Sequence, residues 1–137
     1  MNVRSFLDHN RVFKNPDYDN LKESCSTGAY SYRGEFIENI ILEQNLLEHL
    51  QSWRPYVNKH GLLILELHCL DPEIISNNIG LTGSAAYEST HGYSDQYIVN
   101  LECFLKLAKQ SGLEPVKEYQ LKFPDNALSN ISINLFK

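Results

Sequence analysis

The stretch HGLLILELHCLD, residues 60–71, decides the fold. Gly61 is suited to ending a preceding helix, and the unbroken apolar run Leu62-Leu63-Ile64-Leu65 follows it. A short apolar run bounded by turn signals reads as a strand buried on both faces. Such strands belong to α/β sheets with helices on both sides. Ligands of open α/β sheets bind outside the carboxyl ends of the strands. Glu66, His68 and Asp71 fall at or just past that end, so chemistry is expected there.

Upstream, residues 38–57 predict one helix. Its apolar face is Ile37, Ile40, Ile41, Leu47, Leu50 and Trp53, with Pro55 in the last turn. Gln44, Asn45 and His49 are expected to be solvated, and His60 to sit at a helix end. Farther upstream, NVRSFL (residues 2–7) reads as a strand ended by Asp8, His9, Asn10 and Arg11. Residues 12–33 are irregular, and their Gly and Tyr content predicts an ordered loop.

Downstream, Asp71-Pro72-Glu73 is a helix start, with Asp as N-cap and Pro at the first position. That helix ends near Gly80. LTGSAAYESTHGYSDQY (residues 81–97) reads as a second functional loop or a broken helix. Residues 100–111 form a further helix with Leu101, Phe104, Leu105 and Ala108 on one face and Gly112 as the C′ residue. PVKEYQLKF (115–123) and ISINLF (131–136) alternate as strands. Being consecutive and closely connected, they are expected to be antiparallel neighbours.

The 137 residues correspond to a single domain, 1–137, and the net charge of −5 argues against nucleic acid as a partner. No apolar stretch is long enough to span a bilayer, so no membrane partner is expected, and the first residues lack the pattern of a signal peptide. Cys25, Cys69 and Cys103 are odd in number and outside any CxxC. They read as reduced, buried thiols of a cytoplasmic protein, not as a disulfide framework or a zinc site.

The order of these elements resembles the C-terminal half of a class I S-adenosylmethionine-dependent methyltransferase. The counterparts are FLDHNR (6–11), HGLLILELH (60–68), FLKLAKQSGLEP (104–115) and the closing pair PVKEYQLKF and ISINLF. SFLDHNR, STGAY, ELH and THGYSDQ are similar, more narrowly, to methyltransferase domains associated with polyketide synthases, including the apratoxin type. The resemblance implies a partial Rossmann-like α/β sheet, mostly parallel with a C-terminal antiparallel strand pair and helices on both faces. It also implies transfer of a methyl group from S-adenosylmethionine to a carbon of a small acyl or polyketide-type substrate, free or carrier-bound. The family's Gly-rich turn is missing, since no GxG occurs in the chain. The implied molecule is therefore half a methyltransferase whose cofactor-binding N-terminal half lies outside this sequence. The strand at residues 2–7 would then be an open edge, which calls for self-association or a complementing half.

Asp8 and His9 end the first strand, Glu66 and His68 end the second, and His91, Asp95 and Gln96 lie in the following loop. Adjacent parallel strands would bring all three groups to one rim. An imidazole near its ordinary pKa of about 6.5 suits proton abstraction beside a carbonyl, which makes His9, His68 and His91 the candidate catalytic bases. The resemblance adds Asp8 and His9 as cofactor-binding residues. It also makes a divalent iron or manganese ion plausible, carried over to His91, Gln96 and Asp8. Tyr30 and Tyr32 are candidates for a substrate pocket or for packing on the sheet rim. The rival reading is a non-catalytic α/β module, or a remnant of a methyltransferase, that binds a protein through its open edge.

Overall fold

The computed structural model describes residues 1–83 and 95–137. Its elements are β1 (Asn2–Ser5), β2 (Tyr30–Tyr32), β3 (Glu35–Ile37), α1 (Asn39–Gln51), α2 (Arg54–His60), β4 (Leu62–Leu67), α3 (Pro72–Asn77), α4 (Leu101–Gln110), β5 (Pro115–Phe123) and β6 (Ile131–Phe136). One sheet has the order β1-β4-β6-β5, and β2-β3 is a separate hairpin. β1 and β4 are parallel, and β6 lies antiparallel between β4 and β5. Three of these four strands thus point one way, and the two last strands are antiparallel neighbours as expected.

Pairing assigns the faces of the sheet. Leu62 lies opposite Phe136, Ile64 opposite Asn134 and Glu66 opposite Ser132, and all six are buried. The helices pack on this face through Leu42, Leu46, Leu47 and Leu50 of α1, Val57 of α2 and Phe104, Leu107 and Ala108 of α4. The other face carries Val3, Leu63, Leu65, Leu121, Ile133 and Leu135, all half-buried or exposed. The expectation of helices on both faces is therefore corrected among the described residues. An apolar run such as 62–65 looks doubly buried in sequence because both of its faces are apolar, whether or not both are covered.

The single helix expected over 38–57 is two helices. Pro55 lacks an amide hydrogen and its ring opposes the carbonyl four residues earlier, so the chain turns at Ser52–Trp53 and restarts with Pro55 in the first turn of α2. The face of α1 expected to be solvated is also corrected. Glu43, Gln44 and Asn45 are buried because they hold the long loop. The Glu43 carboxylate accepts from the hydroxyls of Ser24 (2.6 Å) and Ser26 (2.5 Å) and from the amides of Cys25 (3.0 Å) and Ser26 (2.7 Å). Gln44 accepts from the Asn20 amide, Asn45 donates to the Lys14 carbonyl, and Glu48 accepts from the amides of Asp17 and Tyr18. One polar helix face thus satisfies backbone groups that a packed loop would otherwise bury unpaired.

The loop is also tied covalently. Cys25 and Cys103 form a disulfide between Cα atoms 5.3 Å apart, while Cys69 is a buried thiol. This corrects the expectation of three reduced thiols and removes the cysteine argument for a cytoplasmic location. The sequence hides the pair because its members are 78 residues apart. At the end of the same loop a Cβ on Gly28 would lie 2.5 Å from the Tyr30 hydroxyl oxygen. That hydroxyl is fixed by donating to the Ile98 carbonyl at 2.8 Å. Gly28→Ala is expected to cost about 1–3 kcal/mol, as overpacking does, read as a lower urea midpoint.

Candidate functional site

β1 and β4 end side by side, with Ser5 opposite Leu65. Phe6 adopts φ of 53°, and the chain folds back over the end of β4. Asp8 and His9 are thereby brought onto Glu66. One carboxylate oxygen of Glu66 accepts from the amides of Asp8 (2.8 Å) and His9 (3.2 Å), and the other lies 2.5 Å from His9 Nδ1. A carboxylate on Nδ1 favours a proton there and leaves Nε2 of the neutral ring as the basic nitrogen. His9 is 7 % exposed and Glu66 2 %. This is a buried histidine–carboxylate dyad at the carboxyl end of two parallel strands.

Asp8 is held next to it. Its Oδ1 accepts from Arg4 Nε (2.9 Å) and His49 Nε2 (2.7 Å), while Oδ2 is buried without a hydrogen-bond partner. Burial raises its pKa, but the hydrogen bond from His49 and the charge of Arg4 outweigh that and hold it below the usual carboxylate value. Arg11 is also buried. Its guanidinium donates to the Asp8 carbonyl and to Asn45, with the Tyr97 ring 5.4 Å away. Burial lowers the Arg11 pKa to about 10, and Asp8 opposes the shift. Tyr97 is pushed up to about 12, first by burial and then by Asp95, and its hydroxyl is buried without a partner. Asp8, His9, Arg11, Glu66, His68 and Tyr97 line one cavity of about 10 Å³, the size of a single water.

His68 is 2 % exposed and lies beside the dyad cavity. Its Nδ1 faces the Val99 carbonyl at 3.2 Å, which can only accept, so Nδ1 carries the proton. Its Nε2 accepts from the Ser132 hydroxyl at 2.7 Å, and Asn134 in turn donates to that hydroxyl. Both nitrogens are committed, and His68 sits in the core as a buried residue. Burial lowers its pKa to about 4 from the ordinary 6.5, against the pull of Glu66. Between those values the unfolded chain binds the extra proton and the folded chain does not. Stability from this residue is therefore complete above about pH 6.5 and falls on acidification toward pH 4, by roughly 1 kcal/mol per pH unit. Urea unfolding at stepped pH checks this, and His68→Gln should flatten the slope.

Tyr30 lies in the core, 2 % exposed. Tyr32 is half-buried and packs 5.5 Å from the Phe13 ring. With Phe13, Phe36, Ile37 and Ile41 it lines an open groove of about 460 Å³. The Phe13 ring also lies 5.9 Å from that of Tyr97, so groove and dyad share a wall. Of the three residues that the resemblance gives as metal ligands, Asp8 keeps Oδ2 without a partner, Gln96 is half-buried and His91 lies outside the described residues. Among the described residues the grouping of metal-ligating side chains is Cys25, Glu43 and Cys103.

Three contributors escaped sequence reasoning. His49 was placed on a solvated face, Arg11 was read only as a strand terminator, and Tyr97 was one tyrosine in a polar loop. Asp8 to Arg11 form one contiguous run, and that clustering was the available signal for Arg11. No helix among the described residues is long and apolar enough to cross a membrane.

No curated protein matches the chain. The family model described as the AprA MT2-like domain matches residues 1–134. With nearly every residue inside that match, and with β1 and β4 delivering the Asp8–His9 and Glu66 groups to one rim, the chain belongs to the AprA MT2-like domain family of methyltransferase domains.

Proposed function

We propose that the chain is the substrate-side half of an S-adenosylmethionine-dependent methyltransferase acting on a carbon of a small acyl or polyketide-type substrate, free or carrier-bound. The observation that carries this reading is the His9–Glu66 dyad at the ends of β1 and β4. His9 Nε2 removes a proton from the carbon beside the substrate carbonyl, and Glu66 orients the ring and stabilises the imidazolium. The Tyr32–Phe13 groove holds the acyl chain. S-adenosylmethionine supplies an electrophilic methyl group when bound. The buried Asp8 Oδ2, which lacks a partner, suits a hydrogen-bond donor of that cofactor. Methyl transfer is in-line, so the remaining task is to position both reactants and exclude water. The test is transfer of labelled methyl from S-adenosylmethionine to a carrier-bound acyl thioester. Labelled carbon in the product supports the reading. No transfer, even with a Gly-rich complementary half added, overturns it.

The rival reading, a non-catalytic interaction module, is favoured by the open sheet. The half-exposed apolar face and the free edge of β1 suit a partner that adds a strand and a helical layer, and the missing Gly-rich half is such a partner. The amides of Asn2 and Phe6 point to β4, so those of Val3 and Ser5 face the free edge. Val3→Pro removes one edge donor and leaves the β4 ladder intact. It is expected to weaken association about tenfold, read by sedimentation with the complementary half or with the chain alone. Full association by the variant would remove β1 from the interface.

A further inference from the structure

Away from the dyad, the loop at residues 24–26 brings the sulfurs of Cys25 and Cys103 against the Glu43 carboxylate, with the ligand atoms all within 4.8 Å of one another. We propose that these three side chains form a second site: in the reduced protein Cys25, Cys103 and Glu43 bind a thiophilic divalent cation of the Zn²⁺ class. The same two sulfurs are joined as a disulfide in the oxidised protein.

Three features support the site. Glu43 is fully buried and its two oxygens are used unequally. Oε1 accepts from both serine hydroxyls and the Ser26 amide, whereas Oε2 receives only the shared Cys25 amide and faces the Cys25 sulfur at 3.5 Å. The carboxylate is thus fixed in orientation by its neighbours and retains acceptor capacity toward the sulfurs, as an oriented metal ligand does. The ligands also come from three separate places, the loop, α1 and α4: the Glu43 network fixes the loop on α1, and core packing of Leu42 and Leu46 with Phe104 and Leu107 sets α4 against α1. Finally, cleaving the disulfide leaves two ionisable thiols beside a buried anion. A divalent cation neutralises that arrangement, and two thiolates, one carboxylate and one open position form an ordinary zinc set.

The steps balance. A dithiol reductant donates two electrons and two protons to the sulfur–sulfur bond, giving two thiols and the reductant's own disulfide. Binding of the cation then displaces both thiol protons to solvent. The cation and the disulfide are alternative ties between the loop and α4, one for each redox condition.

The test uses the full chain reduced with a phosphine, desalted and titrated with Co²⁺ and Zn²⁺. One equivalent of Co²⁺ with thiolate-to-metal charge-transfer absorption, displaced by Zn²⁺, is expected. Cys25→Ser and Cys103→Ser should each abolish the band, Cys69→Ser should keep it, and Glu43→Gln should weaken binding about tenfold or more. The oxidised wild-type chain is a control that requires no refolding, and it should bind no metal at this site. Failure of the reduced chain to bind overturns the proposal. So does equal binding by the oxidised chain or an unchanged band in folded Cys103→Ser.

Discussion

Replacing His9 with alanine should lower methyl transfer by about 10²–10⁴-fold, the range lost with a general base. The loss should fall on kcat with KM nearly unchanged, since in the proposed reaction Nε2 acts on the proton in flight and not on the bound acyl chain. Glu66→Gln tests the other half of the dyad. The amide keeps the shape and can still accept from the Asp8 and His9 amides, but it no longer places a full negative charge 2.5 Å from Nδ1. Its activity should fall less than that of His9→Ala. His68→Gln, by contrast, should reduce stability far more than turnover, because both of its nitrogens are committed to Val99 and Ser132. Wild-type turnover by folded His9→Ala would remove the dyad from the chemistry.

Reduction of the Cys25–Cys103 disulfide should cost about 4 kcal/mol of folding stability when a chelator is present. The bridge closes a loop with a sequence separation of 78, and its effect is chiefly the restriction of the unfolded chain, which grows slowly with loop length. The reduced chain should still fold. Leu42, Leu46, Leu50, Leu62, Ile64, Phe104 and Phe136 are buried in a core that the bridge does not build, and the Glu43 hydrogen bonds to residues 24–26 do not depend on it. Urea unfolding with and without a phosphine reductant measures the difference, and the Cys25→Ser, Cys103→Ser double variant should match the reduced wild type. Unchanged stability on reduction would mean that Cys25 and Cys103 are not bridged in the folded chain in solution. Restoration of part of the lost stability by Zn²⁺, and not by Mg²⁺, is the thermodynamic counterpart of the metal site proposed above.

The sequence by itself determined the elements that depend on neighbours in the chain. The apolar run after Gly61 is β4, Asp71-Pro72 starts α3, and Gly112 follows α4 with φ of 86°. The alternating segments 115–123 and 131–136 are β5 and β6. These were legible because strand period, helix capping and positive φ are local properties. The parallel placement of β1 beside β4, and with it the meeting of Asp8–His9 with Glu66, was legible only through the order of the elements.

Tertiary structure alone decided the rest. Whether the polar face of α1 met water or loop depended on chain 17 to 31 residues away folding back onto Glu43, Gln44, Asn45 and Glu48. His9 and His68 look equivalent in sequence and His49 looks solvated, but a histidine's role is set by what reaches each ring nitrogen. His9 received a carboxylate on one nitrogen, His68 received partners on both, and His49 was drawn onto Asp8. The two bonded cysteines were separable from the third only by position in space. Each of these outcomes rests on a contact between residues far apart in the chain, and hydrogen bonds, ion pairs and sulfur bridges form by distance in space, for which sequence spacing carries no signal.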